Sequence, residues 1–175
     1  MRLPNIIVYV ILTFVAVLYF APKANLYYKL EHQLQPYGIV IHNEHVEDKW
    51  FWLDITQAQV YIQKLESMHI QKTQLLFLGV YNQVNFEGIT LAQTLGHFLP
   101  KDIHTAKLSH ALYNPFKVTA TVVGGFGKAD ITLNLYEKGA TVNIQASELM
   151  KSKFSATLDN FTLDKKGVYH YEYLF

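Results

Sequence analysis

The sequence predicts a mainly β protein, in which an N-terminal transmembrane helix precedes an antiparallel curved sheet or jelly-roll-like domain with one or two short helices. Residues 3–22 contain no charged side chain. From Ile39 onward, apolar and polar residues alternate in short segments, which turn-forming residues separate at even spacing. Such spacing is typical of antiparallel sheets and sandwiches. We interpret residues 1–22 as a signal-anchor, 23–36 as a short juxtamembrane helix and 37–175 as an exported β-rich domain.

The composition excludes several classes of protein. The chain of 175 residues has no cysteine, a formal net charge of +1 and a single arginine, Arg2. Without cysteine there is no disulfide framework, no thiolate zinc site and no cysteine nucleophile. A near-neutral charge also argues against nucleic-acid binding, which usually needs a basic excess. We therefore expect no nucleic-acid partner.

The segment Ile6–Phe20 is almost wholly aliphatic and aromatic. A helix of about twenty such residues is about 30 Å long, which matches the hydrocarbon core of a bilayer. Tyr9 and Tyr19 lie near its ends, where amphipathic rings favour the membrane interface. Cleavage as a signal peptide needs small residues at −3 and −1, and Tyr19 and Pro22 disfavour it. We expect an uncleaved single-pass anchor in the inner (cytoplasmic) membrane, with the C-terminal domain in the periplasm.

A short helix is predicted over Asn25–Leu34. Asn25 is a residue type that caps helix N-termini, and charged residues separate the apolar ones. Three leucines recur at helical spacing and form the predicted buried stripe: Leu26, Leu30 and Leu34. Gln35–Gly38 combines Pro and Gly and predicts a turn that ends the helix.

The first half of the β domain contains four predicted strands and one predicted helix. Gln57–Gln63 also fits a helical period, but its alternating glutamines favour a strand. Leu75–Tyr81 is apolar on both faces, as in a central strand. Thr90 and the apolar spacing after it predict a capped helix over Leu91–Phe98, which Pro100 ends. The four predicted strands are Ile39–His42, Lys49–Ile55, Gln57–Gln63 and Leu75–Tyr81.

The second half of the domain is predicted to consist of strands joined by tight turns. Gly124–Lys128 has the glycines of a phosphate loop, but Ala129 follows its lysine, and a strand rather than a helix comes next. We interpret this segment as a hairpin turn. The predicted strands are Ile103–Leu112, Phe116–Val123, Ala129–Tyr136, Thr141–Ala146 and a last hairpin of Phe154–Leu163 with Val168–Phe175.

The densest group of candidate metal ligands lies in the segment His42–Asp48. His42, Glu44 and His45 could hold a divalent cation, and a metal-dependent enzyme built on them is the weaker alternative function. On a strand, however, His42 and His45 would point to opposite faces, and the H-E-x-x-H order of zinc peptidases is missing. We expect a polar loop here, with no metal and no cofactor.

The sequence lacks the patterns of common catalytic sites. It contains no nucleophile elbow, no Ser/His/Asp spacing and no dinucleotide fingerprint. Asp54 and Asp130 lie inside strand patterns, and we expect them to face outward rather than to form an acid/base pair. Because catalysis needs such a constellation, the prediction is a protein that is not an enzyme.

Aromatic residues alternate at the C-terminal end of the sequence. On a strand they would share one face, where they would either pack into the core as a ladder or line a groove for acyl chains. An open sheet with one apolar face leaves such a groove uncovered. The predicted groove for lipid or a protein partner consists of Phe77, Tyr81, Tyr169, Tyr171, Tyr173 and Phe175.

The anchor, Phe20–Pro22 and the block Asp54–Thr90 resemble the AsmA-like family and the type II secretion protein N family. Within that block, Val60–Tyr61 and Phe77–Asn82 match the two strand cores of the family repeat. The layout is also similar to the LptC-type inner-membrane component of lipopolysaccharide transport. These resemblances imply a non-enzymatic protein of envelope biogenesis, in lipid or lipopolysaccharide transport or in type II secretion. It would bind lipid or a machinery partner through an apolar sheet face.

The alternative of a structural or assembly subunit stays open. An unpaired edge strand can pair with a strand of another protein, and such pairing would join the chain to an envelope complex.

Overall fold

The computed structural model describes residues 3–93, 96 and 98–175, and the side chains of residues 3–8, 11 and 18 lie outside that description. Within it, the prediction of a mainly β protein is confirmed. The described residues form one antiparallel sheet of eleven strands with helices at its margins.

The elements follow one another as a helical N-terminus and a long meander of strands. The helices are α1 (Leu3–Phe20), α2 (Lys23–Leu34), α3 (Glu148–Lys153) and α4 (Ser155–Leu158), with a 3₁₀ turn over Gln35–Tyr37. The strands are β1 (Ile39–His42), β2 (His45–Lys49), β3 (Trp52–Ile62), β4 (Leu65–Phe77), β5 (Tyr81–Leu91), β6 (Asp102–Ala111), β7 (Asn114–Gly124), β8 (Gly127–Asn134), β9 (Gly139–Ala146), β10 (Thr162–Leu163) and β11 (Tyr169–Leu174).

The sheet is open along its described strands. From β3 to β9 each strand pairs with its neighbours in sequence, and β11 and then β10 complete the order. β1 and β2 share one side of β3, because β1 pairs with Gln59–Ile62 and β2 with Trp52–Thr56. Since neighbouring strands run in opposite directions, alternate turns lie at the same end of the sheet. We call the end with the turns at 50–51, 78–80, 112–113 and 135–138 the rim end, and the opposite one the far end.

The two faces of the sheet differ in polarity, as the alternation predicts. On the apolar face, one row in register from β3 to β11 consists of Leu53, Leu75, Val84, Leu108, Ala120, Ile131, Val142 and Tyr171. On the polar face, the row one position along consists of Asp54, Gln74, Asn85, Lys107, Thr121, Asp130, Asn143 and His170.

Four aligned residues interrupt this alternation, and we call their row the crease. In an uninterrupted strand, residues three positions apart lie on opposite faces. Across the crease, Ile55 and Ala58 of β3 both belong to the same buried cluster, so the interruption keeps the apolar face on one side. One residue in each of β3, β4, β5 and β6 makes no ladder pair, and these residues lie opposite one another: Gln57, Gln71, Gly88 and His104.

The backbone of the crease explains its residue types. Gln57 and Gly88 have left-handed φ angles of 61° and 63°. A Cβ atom at Gly88 would also collide with the side chain of Gln71 on the neighbouring strand. Glycine is therefore the residue that fits both the backbone conformation and the space.

Two buried clusters lie on the apolar face; the first extends along the whole of β3, and the second lies toward the far end. The first packs Tyr27 of α2 against β3, β4 and β5, with Leu53 at 1% exposure as its most buried member. The second places Met150 of α3 and Leu158 of α4 against β8 and β9. Leu99 and Ile103 pack against both clusters. The helices and the segment before β6 thus cover one half of the apolar face and not the other.

The helix predicted over Asn25–Leu34 is confirmed as α2, but its cap and its stripe were wrongly predicted. It begins at Lys23, so Asn25 lies inside it. Leu26 and Leu30 are exposed, while Lys23 and Tyr27 are buried. The Lys23 ammonium lies 3.1 Å from the Asp48 carboxylate. This ion pair places a charged residue on the buried side, which an apolar stripe does not predict.

The first helix leads to the rim end. Tyr19 near the end of α1 packs edge-on against Trp50 and Phe51, at ring distances of 5.8 Å and 6.5 Å. Among the described residues, no helix has both the length and the apolar character needed to cross a membrane.

Two predicted strands of the first half extend wrongly across turns. Lys49–Ile55 is divided, because Trp50 and Phe51 form the turn between β2 and β3. Leu75–Tyr81 is divided as well, since β4 ends at Phe77 and Gly79 adopts a left-handed φ of 74° in the next turn. In both cases the turn is as apolar as the strands beside it, so hydrophobicity gave no boundary.

The helix predicted over Leu91–Phe98 with a Thr90 cap is wrong in the described part of that segment. Thr90 and Leu91 belong to β5, where Thr90 pairs with His69 of β4 and with Asp102 of β6. The described residues after them form turns, and Thr94, Leu95 and His97 lie outside the described residues.

The strand predicted over Phe154–Leu163 is wrong except at its end. Ser147 accepts a hydrogen bond from the Met150 amide and caps α3, and α4 follows directly. Thr162 and Leu163 alone from that segment pair with β11. Helices form here because the buried Met150 and Leu158 cover Phe126, which tertiary packing requires and a strand pattern does not show.

The hairpin interpretation of Gly124–Lys128 is confirmed, since β7 ends at Gly124 and β8 begins at Gly127. Gly127 has a φ of 111°, and a Cβ atom there would collide with the Gln145 carbonyl oxygen. We predict that Gly127→Ala lowers the free energy of unfolding by more than about 2 kcal/mol, from backbone strain plus the collision. Urea denaturation of the full chain in maltoside detergent measures it.

Gly167→Ala is the matched control. Gly167 also has a left-handed φ, 79°, but no atom lies within 4 Å of the added Cβ. Its expected loss is the conformational cost alone, about 1 kcal/mol. Equal losses in the two variants would contradict the role of the collision at Gly127.

Candidate functional site: an uncovered apolar face and an aromatic rim

The half of the apolar face near the rim end is uncovered in the described part of the chain. Leu53 is buried at the α2 side, but farther along the same row Leu108 is 38% exposed. The next row toward the rim on the same face has five apolar members and two polar ones, Asn82 and His110. The apolar members are Phe77, Val118, Leu133, Ala140 and Tyr173. Phe77 and Tyr173 are exposed at the two sides of this row. The uncovered part of the face therefore extends across the strands from β4 to β11.

The predicted groove residues are distributed over this surface rather than gathered in one groove. Phe77 on β4 and Tyr173 on β11 lie on the same face but six strand spacings apart, about 29 Å. Tyr171 packs against Phe161 at a ring distance of 5.3 Å, and Tyr169 is half-buried against the second cluster. Phe175 stacks on Tyr173 beyond the end of β11.

Tyr81 lies on the polar face instead. Its hydroxyl donates to the Gln83 Oε1 at 2.9 Å and lies 3.3 Å from the Ser109 Oγ. Tyr81 therefore does not belong to the uncovered apolar face.

The turns at the rim end form a band of exposed apolar side chains, which we call the rim. Tyr113 is 89% exposed and Trp50 is 68% exposed. Backbone hydrogen bonds join neighbouring parts of this band. The Leu112 amide donates to the Val80 carbonyl oxygen at 2.9 Å, and the Leu135 amide donates to that of Phe116, near the start of β7, at 2.8 Å. The exposed members of the rim are Trp50, Val80, Leu112, Tyr113, Phe116, Leu135, Tyr136, Leu174 and Phe175, and the half-buried Phe51 and Leu78 lie among them.

The far end differs from the rim in charge. It presents many charged side chains together with exposed apolar ones such as Leu65 and Phe98, while the rim turns contain few charged residues besides Glu137 and Lys138. The sheet is thus polarised along its strands as well as between its faces. The exposed charged residues of the far end are Lys64, Lys101, Asp102, Lys128, Glu148, Lys151, Lys153, Asp164, Lys165 and Lys166.

Sequence reasoning missed the rim because it took the turns as separators. The signal was present, since alternate turns of a meander lie at one end and these turns contain aromatic pairs. Trp50–Phe51, Leu112–Tyr113 and Leu135–Tyr136 are three such turns. Comparing odd with even turns would have found the band.

The described residues do not bring the candidate metal ligands His42, Glu44 and His45 together as a site. His42 ends β1 and packs against the Tyr61 ring, while His45 begins β2 after a left-handed Asn43. The described residues contain no group of three or more His, Asp or Glu side chains placed to hold a metal ion. Glu44 instead lies near α2, where burial first and then the Glu44 carboxylate raise the pKa of Glu31.

Asp54 faces outward onto the polar face, as expected, but it is not exposed. It is buried beneath the Lys49 ammonium at 3.1 Å and the Gln74 amide at 3.0 Å. Burial alone would raise the pKa of Asp54, and the hydrogen bonds from Gln74 and Lys49 outweigh it, so the pKa is lowered. Asp130 is half-exposed, and a hydrogen bond from Thr121 holds its pKa low.

Comparison with known proteins adds no relative. The chain matches no protein-family model, and it shows no significant similarity to a curated protein or to a solved structure.

We predict that Asp54→Asn costs about 1–2 kcal/mol of stability at pH 7, because Lys49 and Gln74 lose a charged acceptor. A lowered folded-state pKa stabilises the protein above the unfolded-state pKa of about 4, and this stabilisation is lost as the pH falls through the folded-state value. The difference in unfolding free energy between wild type and Asp54→Asn should therefore become smaller as the pH is lowered from about 5. Urea denaturation at a series of pH values measures it.

Asp159→Asn, at an exposed position after α4, controls for the loss of one negative charge. The unfolding free energy of Asp159→Asn should differ little from that of wild type at every pH in the series. A difference for Asp54→Asn that does not change with pH would contradict the proposed role of the Asp54 carboxylate.

Proposed function

We propose that this chain is a membrane-anchored, non-catalytic lipid-binding protein of the cell envelope. In this proposal α1 is the anchor, the rim contacts the bilayer surface, and the uncovered apolar face takes up acyl chains. The observation that supports it most directly is the rim, since it combines exposed aromatic turns with the point where α1 joins the sheet.

The sequence of α1 supports an anchor. No described helix meets the length and apolar character of a membrane span, so the anchor is proposed from the sequence alone, in which residues 3–22 contain no charged side chain. The described side chains of α1 are exposed, among them Val10, Val17 and Phe20. Exposed apolar area costs about 25 cal/mol per Å² in water, and a lipid surrounding removes that cost.

The rim has the residue types that favour a membrane interface. Trp and Tyr rings have an apolar body and one polar atom, so they partition to the level of the lipid headgroups. Trp50, Tyr113 and Tyr136 are exposed on three different turns of the rim. With α1 leaving from the same end, all three can contact one bilayer surface while the charged far end stays in water.

The apolar face is continuous with the rim, which gives it access to lipid. From Leu108 the next row toward the rim contains His110 on the same strand, and Val118 and Leu133 continue the apolar surface beside it toward the rim turns. An acyl chain could pass from the bilayer over the rim onto this face without crossing water. Exposed contiguous apolar surface of this kind marks ligand and partner sites.

The cellular location is the part of the proposal that rests on sequence resemblance. The resemblance to AsmA-like, type II secretion protein N and LptC-type proteins suggests an inner-membrane anchor with the sheet in the periplasm. It also suggests lipid or lipopolysaccharide transport, or type II secretion, as the process.

A specific observation favours edge-strand pairing as a second candidate function. β10 covers only Tyr169 and His170 of β11. Among the described residues, the outer edge of Tyr171–Leu174 has no pairing strand, so its backbone groups are available to a partner strand.

We predict that the rim lies at the bilayer surface and the far end does not. The test uses a tryptophan-free background, Trp50→Phe with Trp52→Phe, to which Tyr113→Trp is added at the rim. The full chain is reconstituted in vesicles with brominated acyl chains. We expect quenching of the new indole by at least about half, because interfacial rings lie within reach of the bromines.

Tyr37→Trp in the same background is the matched control, since Tyr37 is exposed near the far end. A ten-residue strand spans about 33 Å, so its indole should stay unquenched. Equal emission from the two variants, quenched or not, would contradict the proposed orientation.

We predict that Leu108→Glu removes lipid that co-purifies with the full chain from membranes. An unpaired carboxylate in contact with an acyl chain is costly, so the bound lipid should fall at least about tenfold. Leu108 is already partly exposed, which limits the effect on folding. Mass spectrometry of the lipid extract measures the loss, and circular dichroism confirms the fold.

Gln145→Glu is the matched control, because Gln145 is exposed on the polar face opposite Lys128. It should retain the lipid. Absence of lipid from the wild type, or equal loss in both variants, would overturn the lipid proposal. Retention of a co-purifying protein by Leu108→Glu would favour edge-strand pairing instead.

A further inference from the structure

We propose that a cavity on the polar face of β6 and β7 binds a phosphate group. The cavity has a volume of about 530 Å³ and opens to solvent beside the rim turn at 112–113. It is lined by Tyr81, Lys107, Ser109, His110, Ala111, Tyr113, Asn114, Lys117, Thr119 and Thr121.

An irregular pairing between β6 and β7 forms this cavity. His110 pairs with Val118, but Ala111 pairs with Asn114, so β7 has three additional residues between the two positions. This bulge interrupts the pairing of β7 with β6, and the His110 Nε2 lies 3.1 Å from the Pro115 carbonyl oxygen within it. A flat antiparallel pair would leave no concave surface at this place.

The charges around the cavity are of one sign. Lys107 and Lys117 line it, and its lining contains no carboxylate. Within the described residues, neither lysine makes a salt bridge, whereas Lys128 and Lys49 on the same face are paired with Asp130 and Asp54. Two cations without an internal counter-charge attract an anion.

The neutral groups of the lining supply further hydrogen-bond donors. Hydroxyl groups are present on Tyr81, Ser109, Thr119 and Thr121, and Asn114 adds an amide. The nearest carboxylate along the row, Asp130, already accepts a hydrogen bond from the Thr121 Oγ1 at 2.8 Å and is paired with Lys128. The Tyr81 hydroxyl likewise already donates to the Gln83 Oε1, which leaves Ser109, Thr119 and Asn114 as the neutral donors for an anion.

These features favour a phosphate over a carboxylate. A carboxylate is matched best by the planar fork of arginine, and the cavity contains none. Several separate donors around two ammonium groups suit the tetrahedral oxygens of a phosphate. The volume exceeds that of inorganic phosphate, so a phosphate attached to a glycerol or sugar group also fits.

The phosphate could come from two sources. A soluble phosphate would enter from the aqueous side of the polar face. A lipid headgroup would reach the cavity over Tyr113, which lies at the rim. The site does not require the membrane location proposed above, because the lining residues alone define it.

The experiment measures phosphate binding to the full chain in maltoside micelles by NMR, with inorganic phosphate titrated at pH 7 and constant ionic strength. A parallel arm uses nanodiscs of phosphatidylglycerol, with phosphatidylcholine discs as reference. We expect saturable shifts at the Ser109, Thr119 and Thr121 amides in at least one arm. The double variant Lys107→Gln with Lys117→Gln should weaken that binding at least about tenfold.

Lys165→Gln with Lys166→Gln is the matched control, because it removes the same charge from an exposed turn at the far end. It should bind as the wild type does. Shifts with inorganic phosphate would identify a soluble ligand, and shifts with phosphatidylglycerol alone a lipid headgroup; both support the site. Absence of saturable shifts in both arms, or equal weakening by the two double variants, would overturn it.

Discussion

The crease is the constraint on which the rest of the structure depends. Strands as long as β3 and β4 must present one face to the helices over their whole length. The crease adds one unpaired residue at the same level in four neighbouring strands, so that their ladder pairs stay in register on both sides. Without that alignment, a bulge in one strand would turn its remaining side chains to the face opposite those of its neighbours. The core cluster around Ile55 and Ala58 exists because the interruption is shared.

The crease also shows how far the sequence predicts the fold. Alternation within Gln57–Gln63 and within Thr141–Ala146 identified strands, because each segment lies wholly on one side of the interruption. Alternation cannot connect Ile55 to Ala58, since three positions apart means opposite faces in a regular strand. The additional residue is specified by pairing between distant segments, and a single sequence does not display that pairing. Strand types were therefore predictable, whereas the shared face was not.

The candidate site divides in the same way. Tyr171 and Tyr173 were predictable as one face of a strand because local spacing fixes that relation. The relation of Phe77 to Tyr173 depends on the strand order, which places them at opposite sides of the uncovered surface. Burial of Lys23 and Asp54 was unpredictable for another reason. Each is buried only because a partner from a separate segment, Asp48 or Lys49, compensates its charge.

The sheet is amphipathic in two directions, and this limits how one ligand could use it. The phosphate cavity and the uncovered apolar face lie on opposite sides of one layer of strands, and they meet only at the rim beside Tyr113. A lipid with its phosphate in the cavity would direct its chains over the rim toward the bilayer, not onto the apolar face. A chain bound on that face would place its own headgroup elsewhere. The two surfaces therefore suit different molecules, or successive positions of one molecule as it leaves the membrane.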